Sequence, residues 1–166
     1  MAPSIKDLKK SNKIAYDETI RKNLIELHKF LGLGMTDVAV EAIGGSDTFL
    51  PHAKKALKSM SKQASDLTVA LLEARGDSKL SKEEENDFRS IALVTSTLGN
   101  LQFKLNDLIK MAEMGQGRSA DFLNRASNFA DAIMAAQAEF RNARAGINAL
   151  GGLSEDPSIA YIFKGN

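Results

Sequence analysis

The sequence predicts an all-α fold, an antiparallel up-down four-helix bundle with long heptad-patterned helices. Two observations support this prediction most directly. Apolar residues recur alternately four and three positions apart in several segments, which is typical of helices that pack side by side. Capping residues stand near the ends of these segments. In addition, the chain has only three prolines, and each of them lies at a predicted helix start or outside the predicted helices.

The longest pattern predicts the last helix, over residues 119–149. Its spacing is kept through four heptads, in which three phenylalanines alternate with alanines and branched residues. Ser119 is the predicted N-cap, and Gly151 with Gly152 ends the run. The positions of the pattern are Phe122, Ala126, Phe129, Ile133, Ala136, Phe140, Ala143, Ile147 and Leu150.

The same spacing predicts three earlier helices, over residues 4–31, 48–75 and 82–114. Each apolar set occupies one side of its helix, so the three sets are the predicted core. The sets are Tyr16, Ile20, Leu24, Leu27 and Leu31; then Ala53, Leu57, Met60, Ala64, Leu67, Leu71 and Ala74; then Phe88, Ile91, Val94, Leu98, Leu101, Leu105, Leu108 and Ala112.

The ends of these helices are predicted from capping residues. Ser81 followed by Glu84 has the spacing of a capping box, in which each side chain bonds the backbone of the other residue. Gly32, Gly76 and Gly115 each follow a periodic run, where glycine commonly ends a helix. These residues therefore predict one helix start and three helix ends.

The connections predict how the helices are joined. The last two links are short, and short links require antiparallel neighbours. The longer first link predicts an extra helical turn at 36–43, capped by Thr36 and ended by Gly44. A further turn is predicted at 157–163, with Asp156 as its cap. We therefore expect a bundle over residues 1–152 and an apolar C-terminal tail over 153–166 that packs on the bundle end or on a partner.

Small residues in the last two helices predict a close approach between them. An antiparallel pair would place Leu98 and Gly99 opposite Met134 and Ala135, where small side chains would let the backbones come together. A competing interpretation is that residues 94–100 line a small pocket for a ligand.

The sequence contains no arrangement typical of catalysis or metal binding. Cysteine is absent, and neither His28 nor His52 belongs to the Glu-x-x-His motif that carboxylate metal sites in bundles use. The glycine motifs at 32–34 and 115–117 lack the lysine of a phosphate-binding loop. We therefore expect no enzyme activity, no metal and no cofactor, and a surface or rim position for both histidines.

The charges are balanced overall but clustered locally. A net charge of +1 argues against an indiscriminate polyanion binder. One basic cluster is nevertheless a candidate for an anion or subunit contact, although a solvated surface is the simpler interpretation. It consists of Lys54, Lys55, Lys58, Lys62 and Arg118.

The C-terminal segment "SIAYIF", residues 158–163, is the least ordinary stretch of the surface. Five consecutive apolar residues follow the predicted end of the bundle. They predict either a lid over that end or a docking segment for another subunit or protein. The candidate interaction residues are Ile159, Tyr161, Ile162 and Phe163.

These features favour a non-enzymatic bundle that acts through protein–protein contacts. It would be a building block or accessory subunit of a larger assembly, such as a virion or a secretion-type structure, or a regulatory binding module. A homo-oligomer is the expected form, and no membrane span is expected. The alternatives are a nucleic-acid-associated bundle that uses the Lys54–Lys62 end, and a small-ligand sensor. Because no signal peptide is evident, we expect a cytoplasmic or virion location.

Overall fold

The protein is all-α, as the sequence predicts. A computed structural model describes residues 13, 14, 17–77 and 79–148, without the side chains of 141–148. The described chain contains helices and no strands. Its elements are α1 (Glu18–Lys29), a π-helical turn (Phe30–Gly34), α2 (Met35–Gly44), α3 (Phe49–Arg75), α4 (Lys82–Glu113) and α5 (Ala120–Asn148).

Helices α3, α4 and α5 begin and end within one residue of their predicted bounds. Two of the predicted N-caps, Ser81 and Ser119, are confirmed. The hydroxyl of Ser81 accepts from the backbone of Glu84, whose carboxylate accepts in turn from the backbone of Ser81. The hydroxyl of Ser119 accepts from the backbone of Phe122 at 3.1 Å. Local capping chemistry therefore sets these helix starts.

The predicted first helix, 4–31, is interrupted at Asp17 and continues beyond Leu31, while its predicted start at residue 4 lies outside the described residues. Asp17 has an extended backbone, and its side chain accepts from the backbone N–H of Ile20 at 2.9 Å, so the helix begins at Glu18. At its other end the helix does not stop at Gly32. It continues through the π-helical turn into α2, which makes the predicted extra turn at 36–43 a continuation of this helix.

The π-helical turn is stabilised by side chains that satisfy the carbonyl of Leu31. Gln137 of α5 donates to this oxygen at 3.1 Å, and the hydroxyl of Thr36 donates at 3.4 Å. Thr36 is therefore not the N-cap of a separate helix. Gly34 leaves room for the ring of Phe30, because a Cβ at position 34 would lie 3.0 Å from that ring. Such turns inside helices often occur at functional sites.

The heptad positions form the core. Every pattern position from Phe122 to Phe140 in α5 is buried, as are those from Ile20 to Leu31 and from Ile91 to Leu108. In α3 the pattern consists of buried and half-buried positions. The side chains of Ala143, Ile147 and Leu150 lie outside the description, and so does the predicted tail over 153–166.

Contacts between α4 and α5 pair later residues of one helix with earlier residues of the other. Arg125 binds Asp107 at 2.7 Å, and Thr97 donates a hydrogen bond to Glu139. This order means that the two helices run in opposite directions. Contacts of α3 with α4 have the same reversed order, Lys54 with Glu113 and Arg75 with Phe88. The up-down arrangement of the whole bundle stays a prediction.

The predicted close approach at Gly99 is wrong. Gly99 is exposed, and a Cβ built there would meet no atom within 4 Å. Met134 is 66% exposed and Ala135 is also exposed, so both point away from the core. The buried alanines of α5, Ala126 and Ala136, are instead part of the ordinary heptad core.

Replacing Gly99 by alanine is expected to stabilise the protein by about 0.5–1 kcal/mol, because glycine in a helix interior has a larger conformational entropy in the unfolded chain. Urea denaturation measures this change. The control is Gly45→Ala, which should destabilise, since Gly45 has φ of 68° and ends α2. A loss of stability in Gly99→Ala would show that another backbone does approach this position.

Candidate interaction surface

The structure places most of the basic candidate cluster beside acidic groups. Lys54 lies 3.4 Å from Glu113, and Lys62 lies 2.7 Å from Asp66 one turn further along α3. The hydrogen bond from Lys62 to Asp66 raises the pKa of this lysine. These lysines are exposed, and so are Lys55 and Lys58. Because carboxylates neutralise part of the cluster, its positive field is weaker than its sequence suggests.

Arg118, the fifth member of that cluster, lies in the loop before α5. Its guanidinium is 3.9 Å from Asp47 and 81% exposed. It borders a cavity of about 310 Å³ where the loop after α2 meets the loop before α5. Apolar residues, among them Phe49 and Phe122, form part of the cavity wall, and their rings meet edge to face with centroids 5.7 Å apart. The cavity therefore combines an aromatic wall with one cation at its rim.

A polar network joins the end of α2 to the start of α3. The carboxylate of Glu41 accepts from the hydroxyl of Thr48 at 2.6 Å and contacts Nδ1 of His52 at 2.7 Å. Burial raises the pKa of Glu41, but the hydrogen bonds from Thr48 and His52 outweigh it and leave this pKa below its ordinary value. A second cavity of about 260 Å³ lies between this network and the π-helical turn, with Lys55 at its edge. The network fixes the turn between α2 and α3.

Both histidines, and Thr95 of the segment 94–100 that could line a pocket, have partners within the protein. His28 is half-buried and packs on Phe140, with ring centroids 5.2 Å apart, while His52 is 57% exposed. Thr95 donates to the carbonyl of Ala92 at 2.6 Å. No group of three or more potential metal ligands occurs among the described residues. Within the same residues, no helix is long and apolar enough to cross a membrane.

An apolar stripe that sequence analysis missed follows the outer side of the first helix. Leu33 is 71% exposed, Val40 is 63% exposed and Ile43 is 47% exposed. Val40 and Ile43 lie one helical turn apart, and Leu33 lies two turns before Val40. On α2, the side chain of Glu41 faces α3, where it contacts His52. Ile43 is two residues further along, which turns its side chain by 200° around the helix axis. Ile43 therefore lies on the opposite flank of α2, beside α5.

Two exposed apolar side chains lie on one flank of α5. Leu123 is 39% exposed and Met134 is 66% exposed, and the two are eleven residues apart, which is about three helical turns. Gln137, one turn after Met134, contacts the carbonyl of Leu31. This flank of α5 therefore borders the first helix. We call the combined surface of Leu33, Val40, Ile43, Leu123 and Met134 the α2–α5 face.

The register of the two helices brings the exposed apolar side chains level with each other. His28 contacts Phe140 and Leu31 contacts Gln137, so the first helix and α5 run in opposite directions here, and residues at the same height have numbers that sum to about 168. By this rule Leu33 lies at nearly the same height as Met134. Ile43 likewise lies at nearly the same height as Leu123. Half of the ten large apolar side chains exposed in the described chain thus lie on the α2–α5 face. Exposed apolar side chains grouped on one side of a protein commonly mark an interaction site.

The α2–α5 face escaped sequence analysis because Gly32 and Thr36 predicted a break in the first helix. With a break, Leu33 and Val40 belong to a link, and no stripe can be recognised. The candidate tail residues Ile159, Tyr161, Ile162 and Phe163 lie outside the described residues. Comparisons with protein-family models, curated proteins and solved structures find no match for this chain.

Proposed function

We propose that the protein is a non-enzymatic helical-bundle protein that acts through protein–protein contacts, as a building block or accessory subunit of a larger assembly. The α2–α5 face is the proposed contact surface. The observation that carries this proposal is the alignment of five exposed apolar side chains on two neighbouring helices. Removing such side chains from water contributes roughly 1.5–3 kcal/mol each.

Exposed apolar side chains elsewhere stand singly or, for Val69 and Leu72 on α3, as a pair one turn apart. Phe103 is 76% exposed but stands on α4, opposite the core. Single apolar residues of this kind are normal on protein surfaces. The α2–α5 face differs because its five members lie on neighbouring flanks of two helices, so that a partner can cover several of them at once.

Nucleic-acid binding by the Lys54–Lys62 end is the less favoured alternative. Lys54 and Lys62 are each within 4 Å of a carboxylate, as is Arg118. A phosphate backbone would have to compete with these acids or tolerate their repulsion. For such a contact, the logarithm of the binding constant would fall linearly with the logarithm of salt concentration. An apolar contact would not show this dependence.

Val40→Lys is expected to weaken self-association by about tenfold or more, because it forces a charge into an apolar contact. Light scattering over a range of concentrations measures this effect. The wild-type mass should rise above the 18.0 kDa of one chain, and the variant should remain closer to it. Phe103→Lys is the matched control, since it places the same charge at a similarly exposed position outside the face.

Two results would contradict the proposal. One is a wild-type mass of 18.0 kDa at every concentration. The other is an equal effect of Val40→Lys and Phe103→Lys, which would indicate general adhesion rather than a defined surface. Thermal denaturation of both variants verifies that the bundle remains folded.

A further inference from the structure

We propose that the cavity between α2 and α3 binds a small zwitterion of the apolar α-amino acid type. This is the cavity of about 260 Å³ beside the π-helical turn. The inference does not rest on the proposed function, because the α2–α5 face lies on the other flank of α2. It rests on the composition of the cavity wall, on the π-helical turn, and on two charged side chains at the cavity.

The buried part of the cavity wall is apolar, and the exposed part is charged. Val38 and Ala56 are buried, and the ring of Phe30 is half-buried. Asp37 and Lys55, which also line the cavity, are exposed. An apolar cavity of about 150 Å³ is enough to bind benzene. The volume of about 260 Å³ therefore has room for a branched or aromatic side chain. Apolar walls with a few charged groups are typical of sites for small molecules.

The π-helical turn forms one side of the cavity. Phe30 and Gly34 are the first and last residues of this turn, and both line the cavity. A Cβ at position 34 would lie 3.0 Å from the ring of Phe30, so glycine at this position lets the ring occupy its place in the wall. Turns of this kind are rare and occur frequently at functional sites. The turn therefore indicates a binding site independently of the cavity volume.

The register of α2 and α3 places one acid and one base at the same height beside the cavity. The two helices are joined by residues 45–48 alone, so they run in opposite directions. Glu41 of α2 contacts His52 of α3 at 2.7 Å. Asp37 lies four residues before Glu41, and Lys55 lies three residues after His52. Asp37 and Lys55 therefore occupy equivalent positions on the two helices, one helical turn further along.

Unlike Glu41 and His52, these two residues do not form an ion pair. Among the described residues, neither Asp37 nor Lys55 has an oppositely charged group within 4 Å. The carboxylate of Asp37 is thus available to an ammonium group, and the ammonium group of Lys55 is available to a carboxylate.

This pair of charges selects a ligand that carries both signs. A ligand with an ammonium group and a carboxylate can bridge Asp37 and Lys55 while its apolar part covers Val38 and the ring of Phe30. A purely anionic ligand would be attracted by Lys55 but repelled by Asp37 and Glu41. A purely cationic ligand would meet the reverse situation at Lys55. The geometry therefore favours a zwitterion over either kind of single charge.

Isothermal titration calorimetry with L-leucine tests the inference. Leucine carries an ammonium group, a carboxylate and a branched apolar side chain. Two comparison ligands keep this side chain and each lack one charged group: 3-methylbutylamine has no carboxylate, and 4-methylpentanoate has no ammonium group. Leucine is expected to bind at least tenfold more tightly than either of them, because it alone can engage both Asp37 and Lys55.

Two variants test the residues. Asp37→Asn and Lys55→Met are each expected to weaken the binding of leucine at least tenfold, because each removes one of the two charges. Asp47→Asn and Lys58→Met are the matched controls, since both residues are exposed close to the same helices but do not line the cavity. The controls should bind leucine as the wild type does. Thermal denaturation without ligand verifies that all four variants are folded.

Three results would overturn the inference. The first is the absence of binding by both L-leucine and L-phenylalanine at millimolar concentration. The second is equal binding of leucine and the two comparison ligands, which would indicate an apolar cavity without recognition of charge. The third is an equal effect of Lys55→Met and Lys58→Met, which would indicate a response to net charge rather than a defined site.

Discussion

Replacing Phe140 by alanine is expected to cost about 3–5 kcal/mol of unfolding free energy, the range for a large aromatic residue removed from a core. Phe140 is 1% exposed, and its ring packs on His28. Truncation therefore removes apolar burial and leaves a cavity between α5 and the first helix. Because most domains are stable by only about 5–15 kcal/mol, this variant should be close to unfolding. Urea denaturation followed by circular dichroism measures the loss.

Phe103→Ala is the matched control, because Phe103 is 76% exposed on α4. Surface substitutions of this type change stability by less than about 0.5 kcal/mol. Similar losses in the two variants would contradict the heptad core, since they would mean that Phe140 is not held by surrounding side chains.

Replacing Glu84 by glutamine is expected to cost about 1.5–3 kcal/mol at neutral pH, the range for hydrogen bonds to a charged group. Glu84 is 7% exposed. Its two carboxylate oxygens accept from the backbone N–H groups of Ser81 and Lys13, each at 3.0 Å. An amide offers one oxygen and one NH₂ group in their place, so one of these backbone donors would face another donor.

The loss in Glu84→Gln should depend on pH. Burial raises the pKa of Glu84, but the hydrogen bonds from Ser81 and Lys13 outweigh it and lower this pKa below its ordinary value. The unfolded chain has the ordinary glutamate pKa, about 4.3. The stabilisation is therefore fully present above about pH 4.3 and is lost as pH falls through the lower pKa of the folded state. The wild type and Glu84→Gln should converge in stability under acid conditions.

Glu83→Gln is the control for this titration, because Glu83 stands in the same first turn of α4 but is exposed. It should change stability by only about 0.3–1 kcal/mol, through the helix dipole. A difference between wild type and Glu84→Gln that stays constant from neutral to acid pH would show that the carboxylate charge contributes nothing to folding.

Local sequence determined most of the helices. The bounds of α3, α4 and α5 follow from apolar spacing and from caps such as Ser81 and Ser119, and the structure agrees within one residue. Gly76 and Gly115, predicted to end helices, have positive φ angles just after α3 and α4. These interactions join residues at most a few positions apart, so the information they need is present in the neighbouring sequence.

Tertiary structure decided the first helix. Gly32 and Gly34 locally favour an end, yet the helix continues through the π-helical turn, where Gln137 of α5 donates to the carbonyl of Leu31. That donor is 106 residues away in sequence. The burial of Glu84 has a similar origin, since its partner Lys13 is 71 residues distant. No local pattern contains such partners.

The candidate surface shows the same division. The sequence by itself determined that the tail residues Ile159–Phe163 are apolar, and that Lys54 and Arg118 are basic. Only the packing of helices could show that carboxylates lie beside these cations. Only the uninterrupted first helix, held against α5, could align Val40 and Ile43 with the apolar flank of α5. The spacing of apolar residues predicts which side of a single helix is buried. A surface shared by two helices also depends on their register. That register is set by contacts between residues that are distant in sequence.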